Sequence, residues 1–185
     1  MNDLQVDLEI QRILEKRAQE LAQQTIGDDN AGESIEVVAF SIGDERYALE
    51  TRFIHEVQPT AQIKRTRLPG APEFILGLIN VRGHLYSLID IGNYLGLAPR
   101  SIPETAYILR VQGGELGDGV PLELCLLADD LPEVRSVFLD ELHPAPTGLP
   151  HPTQAIVRGV TVDLLVVLDL EALLSDPGLI VHDDV

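Results

Sequence analysis

The sequence predicts a mainly β protein built as two small β-barrels packed together, preceded by one helix. Three observations carry this. Short apolar runs are separated by turn residues every eight to twelve positions along the globular part. Several runs are apolar throughout instead of alternating, as expected for strands buried on both faces. The late segment Ile156–Leu174 then repeats Leu68–Leu97 in abbreviated form, each with a strand ending in an apolar-Asp-apolar step before a short helical piece, Leu88-Ile89-Asp90-Ile91 and Leu168-Asp169-Leu170.

Residues 3–24 have helical spacing. Leu4 and Leu8, Ile10 and Leu14, and Arg17 and Leu21 stack at i, i+4, and Asn2 or Asp3 is placed to cap the helix. This helix docks on the domain or on a neighbouring chain, or stays a solvated arm, since so short a helix is marginal without tertiary support. Gly27 to Gly32 is a linker by composition. Ile35–Ile42 and Arg46–Leu49, joined at Gly43-Asp44, form a first hairpin. Ile63–Arg67 carries three of the chain's 13 basic residues and is expected to be exposed.

Leu68–Leu97 organises the chain, with only Glu73, Arg82 and Asp90 formally charged. Ile75–Val81 and His84–Ile91 flank Arg82-Gly83, a two-residue hairpin turn whose second position needs φ > 0. Asn93–Leu97 is one helical turn closed by Gly96, and Pro99–Pro103 marks a boundary between halves. Strands follow at Tyr107–Val111, Leu122–Ala128 and Val134–Phe138, with loops at Gly113–Gly119 and Pro144–Pro152. The resulting division is residues 1–34 for helix and linker and 35–176 for the globular part. Within the latter, about 35–100 form a first barrel and about 101–170 a second, and 177–185 are an acidic, mobile tail.

A net charge of −17 on 185 residues argues against nucleic acid and against an anionic membrane surface as partner. No apolar run reaches the roughly 18 residues of a membrane span, and the N-terminus MNDLQVDLEI lacks the basic-then-apolar pattern of a signal peptide. The single Cys125, in an apolar strand, fits packing in a reduced cytoplasmic setting.

Catalytic constellations are missing. Asp90 and Asp169, one from each half, invite comparison with aspartic-protease dyads, but Asp90-Ile91-Gly92 and Asp169-Leu170-Glu171 lack the hydroxyl and glycine that such carboxylates need after them. Capping of the next helical turn explains them better. His55, His84, His143, His151 and His182 have no metal-ligand spacing, so no metal or other cofactor is expected. What stands out is a surface. Glu56 lies beside Phe53-Ile54 and Val57, and Arg82 is the only base in the thirty-residue apolar stretch; together they form an ion pair or contact site.

At these residues the sequence resembles the CheW family, the coupling proteins of bacterial chemotaxis. The matching pieces are FSIGDERYALE (Phe40–Glu50), IHEV (Ile54–Val57), RLPGAPEFILGLINVRG (Arg67–Gly83), SLIDIGNYLGL (Ser87–Leu97) and VVLDLEALL (Val166–Leu174), in order across Glu36 to Leu174. The resemblance implies two intertwined five-stranded SH3-like barrels and no catalysis. It implies an adaptor in the cytoplasm, at membrane-associated receptor arrays, joining chemoreceptor cytoplasmic tips to the regulatory domain of a CheA-type histidine kinase. Carried over by motif, Glu56, Val57 and Arg82 face the receptor, and Gly77 with Ile75 and Ile79 belongs to the surface that meets the kinase. The sequence departs from the family at Gly92-Asn93, where a basic residue commonly follows the Asp step, and in its acidic second half. A coupling module for a kinase pathway outside chemotaxis, such as twitching motility, is the alternative; a small β-barrel enzyme or ligand-binding protein is the rival from another class.

Overall fold

The structure is a computed structural model that describes residues 32–116, 120–145, 148 and 152–179. The helix expected over 3–24 and its linker lie outside the described residues. Eleven strands are described: β1 (Ser34–Ile42), β2 (Glu45–Glu50), β3 (Ile54–Pro59), β4 (Arg65–Thr66), β5 (Ile75–Val81), β6 (His84–Ile89), β7 (Tyr107–Leu116), β8 (Val120–Ala128), β9 (Glu133–Phe138), β10 (Val157–Val160) and β11 (Leu165–Leu168). Three short helices accompany them, α1 (Ile91–Tyr94), α2 (Thr153–Ile156) and α3 (Leu170–Leu174).

The mainly β expectation holds, and the strands form two sheets. One has the order β10-β11-β2-β1-β9, the other β3-β7-β8-β6-β5-β4. His143 exchanges backbone hydrogen bonds of 3.0 and 2.9 Å with Val160 of β10, so the chain leaving β9 returns to the opposite edge and closes the first sheet on itself. The second sheet has six strands where five were expected, because Arg65 and Thr66 pair with Ile79 and Leu78 as a two-residue edge. Each sheet takes strands from both halves of the sequence: β1 and β2 pair into the sheet of β9–β11, and β7 and β8 into that of β3–β6. The boundary near residue 100 is therefore a boundary in the chain and not between the sheets. Four pairings make the exchange, β1 with β9 and β3 with β7 antiparallel, β11 with β2 and β6 with β8 parallel.

Strand periodicity builds three apolar layers. Val37 and Ala39 of β1 face one barrel interior with Ala48, Val137, Leu165 and Val167. The alternate residues Val38, Phe40 and Ile42 face a central layer between the sheets with Leu109, Leu126, Leu168 and Leu173. Likewise β8 gives Leu124 and Leu126 to the central layer, and Cys125 and Leu127 to the second interior with Ile79, Leu88 and Ile108. Strands buried on both sides are the ones that read as uninterrupted apolar runs. Cys125 is fully buried, and burial pushes its thiol up to about 12, so it packs and stays unreactive at neutral pH.

The two sheets repeat one local design. Asp90 N–H donates to Phe74 O at 2.8 Å, and Asp169 N–H to Ile156 O at 2.8 Å. The Asp90 carboxylate caps α1 through Gly92 and Asn93, and that of Asp169 caps α3 through Ala172. A register irregularity between Ile75 and Gly77 has its counterpart between Val157 and Gly159. In strand order, β3-β7-β8-β6-β5 corresponds to β9-β1-β2-β11-β10. One expectation needs correcting. Leu179, placed in a mobile tail, is 6% exposed, because its side chain joins the central layer and its N–H bonds Asp176 O.

Candidate functional site

The β5–β6 hairpin turns through Arg82 (φ 52°) and Gly83 (φ 91°). Positive φ at both central positions matches the right-handed strand twist, and Gly supplies it without cost, whereas Arg does not. Asn80 Oδ1 accepts the Gly83 N–H at 2.9 Å and pins the turn. From there the Arg82 side chain, 81% exposed, reaches β3, where Nη2 lies 2.8 Å from Glu56 Oε1. The Glu56 side chain is only 14% exposed, and Val57 beside it is exposed. The structure thus brings Glu56, Val57 and Arg82 to one end of the second sheet, from strands at opposite sides of its order.

Sequence reasoning missed the rest of this cluster. Glu56 pairs in register with Arg110 of β7, which pairs with Cys125 of β8, so Arg110 points toward the barrel interior at its end. Arg110 Nε approaches Glu56 Oε2 at 3.7 Å, and its Nη1 lies 3.4 Å from Glu123 Oε2. Its guanidinium sits 5.7 Å from the Tyr86 ring centroid. Desolvation, then the nearby Glu123, raise the Tyr86 phenol above its ordinary value. Two bases and two acids therefore close this barrel end, with Arg82 outermost. The signal available was Arg110, the lone charge inside the apolar strand Tyr107–Val111.

The hairpin residues behave differently. Ile75 is half-buried and packs against the central layer. Gly77 is buried with φ 134°, and a Cβ there would stand 2.2 Å from Thr66 O, so glycine lets β4 lie against β5. Ile79 is 1% exposed. As a surface side chain it needs correction, because the alternation of β5 turns it into the barrel, where it forms the floor of an apolar cavity of about 250 Å³ with Ile63 and Ile102 at its walls.

A second buried charge cluster lies in the stretch read as a proline break. The Arg100 guanidinium bonds both Asp90 oxygens at 2.8 and 2.9 Å, and Asp129 at 2.7 and 3.0 Å. Asp129 also accepts the Gly43 N–H at 2.7 Å, and Asp130 accepts from Ser41 N–H and Oγ. Burial lowers the affinity of Arg100 for its proton, but the hydrogen bonds it donates to Asp129 and Asp90 outweigh this and the net shift is upward. At Gly92 a Cβ would lie 2.8 Å from Arg100 Nη1. The guanidinium fills that space.

Among the described residues no group of His, Cys, Asp or Glu side chains is arranged to hold a metal, and no helix is long and apolar enough to cross a membrane. A family model described as "CheW-like domain" matches residues 36–178. The chain is similar to "Chemotaxis protein CheW" of Klebsiella aerogenes, 25% identical over 160 residues that cover 84% of this chain and 92% of that one. It is similar to "Chemotaxis protein CheW" of Helicobacter pylori, 33% identical over 135 residues, covering 72% and 76%. Its structure is similar to that of the scaffolding protein TtCheW from Thermoanaerobacter tengcongensis, with a TM-score of 0.64, 28% identity and coverage of 79% and 96%.

Proposed function

The chain belongs to the CheW-like domain family, a family of non-catalytic chemotaxis scaffolds, and from this premise we propose that it couples chemoreceptor cytoplasmic tips to a CheA-type histidine kinase. The observation that carries the proposal is Arg82, held in an unfavourable backbone conformation at the outer end of the Glu56–Arg110–Glu123 cluster and left 81% exposed beside Val57. An exposed ion pair adds little to stability. Its rigid placement does give an incoming helix a fixed donor array next to an apolar contact, which serves specificity.

In this reading Glu56, Val57 and Arg82 receive the receptor tip. Ile75, Gly77 and Ile79 shape the face that meets the kinase regulatory domain, Gly77 by setting the β4–β5 approach and Ile79 from the floor of the apolar cavity. The protein then works in the cytoplasm at membrane-associated arrays through its partners, without inserting into the bilayer. The test is calorimetric titration of the full chain with a receptor-tip fragment and, separately, with the kinase regulatory domain. Arg82→Glu should weaken the receptor titration at least about tenfold while leaving the kinase titration and the thermal midpoint unchanged. Unfolding by Arg82→Glu, or unchanged receptor affinity, overturns the site.

A further inference from the structure

The place that corresponds to the Glu56–Arg82 pair in the other sheet is also occupied. There β9 stands for β3, and the β10–β11 turn for Arg82-Gly83. Arg135 of β9 binds Asp163 of that turn at 2.8 Å, the same strand-to-turn ion pair with its charges exchanged. The turn runs from Thr161 to Leu165, closed by Leu164 N–H to Thr161 O and by Thr161 N–H to Leu165 O, both 3.0 Å. Its fourth residue, Leu164, has φ 61°, the geometry glycine or asparagine adopts at low cost. Yet this strained leucine is 75% exposed, and Val162 is 78% exposed.

Packing inside the fold does not account for a leucine here. A strained, solvent-facing apolar side chain points to a role outside the fold. Beside it lies an open groove of about 560 Å³, with Val157 and Val166 on its floor, Leu164 at its wall and Asp44, Glu45 and Asp163 against the single base Arg46. A second copy of this chain, at net charge −17, is a poor occupant for an acid-rimmed groove.

We propose that this groove docks an amphipathic segment of a partner protein, with an apolar ridge over Val157, Val166 and Leu164 and Lys or Arg side chains toward Asp44 and Glu45. The site stands apart from the Glu56–Arg82 surface and does not depend on that reading.

The test titrates the full chain, at near-physiological salt, with a labelled amphipathic helical Leu/Lys peptide of about 18 residues, and with a Leu/Glu peptide of the same pattern. The Leu/Lys peptide should bind and the Leu/Glu peptide should not. Leu164→Asn preserves net charge and suits the turn. It should weaken Leu/Lys binding by about tenfold or more while raising the thermal midpoint, which a merely structural leucine would not do. The paired change Asp44→Asn with Glu45→Gln should weaken binding and flatten its salt dependence. Failure of the wild-type chain to bind, equal binding by Leu164→Asn, or equal binding of the Leu/Glu peptide overturns the proposal. So does tighter binding after removal of residues 1–31, which would make the chain's own N-terminal segment the occupant.

Discussion

Arg82 and Leu164 are the two described non-glycine residues with positive φ, 52° and 61°. A side chain in this conformation costs about 1–2 kcal/mol through the close approach of Cβ to the backbone. Leu164→Asn relieves it without disturbing the buried core, so stability should rise by about 1 kcal/mol and the midpoint by roughly 2–4 °C, measured by calorimetry. Arg82→Asn gains the same relief but loses the exposed bridge to Glu56, so its unfolding free energy in urea should stay within about 0.5 kcal/mol of wild type. Asp163 adds a pH dependence. Its hydrogen bond from Thr161, then that from Arg135, lower its carboxyl from 3.8 to about 2. A depressed carboxyl stabilises the fold above its unfolded value, and that contribution disappears as pH falls through its folded value. Acid titration of wild type against Asp163→Asn should therefore differ between about pH 4 and pH 2. With the side chain 46% exposed, the difference should stay below about 1 kcal/mol.

At the scale of elements, β5 and β6 were legible because Arg82-Gly83 announces a turn between two apolar arms, and the structure places the strands at Ile75–Val81 and His84–Ile89. The caps at Asp90 and Asp169 were legible for a similar local reason. β3 and β4 were not, since Pro59 and the bases Lys64, Arg65 and Arg67 disguise strands whose identity comes from their neighbours. The same limit hid half of the candidate site. Glu56, Arg82, Arg110 and Glu123 meet through strand order and register, and residue spacing encodes neither. Gly77 marks where two elements touch most closely: Gly77→Ala meets Thr66 O at 2.2 Å in a backbone conformation that alanine rarely adopts. It should cost roughly 2–4 kcal/mol, and hydrogen exchange should show faster exchange at Arg65, Thr66, Leu78 and Ile79 before other strands respond.

Across the whole molecule, Arg100 joins the start of α1, the end of β8 and the β1–β2 turn, so it ties one sheet to the other. Its side chain is 13% exposed, those of Asp90 and Asp129 4% and 11%. Arg100→Leu leaves two carboxylates facing one another in a dry site and should cost about 3–5 kcal/mol, a large share of a typical domain's total stability of about 5–15 kcal/mol. Urea unfolding measures it directly. Paired with Asp90→Asn, the loss should shrink, since one buried charge goes with its partner. The exchange of strands between halves also bears on how the chain is made. On the ribosome, β2 emerges early but waits for β11, over a hundred residues later, before its parallel partner exists. The second sheet has all its strands once β8 is made, but the first does not finish until β10 and β11 arrive, so a nascent chain stalled before Leu165 exposes an open β2 edge to other chains.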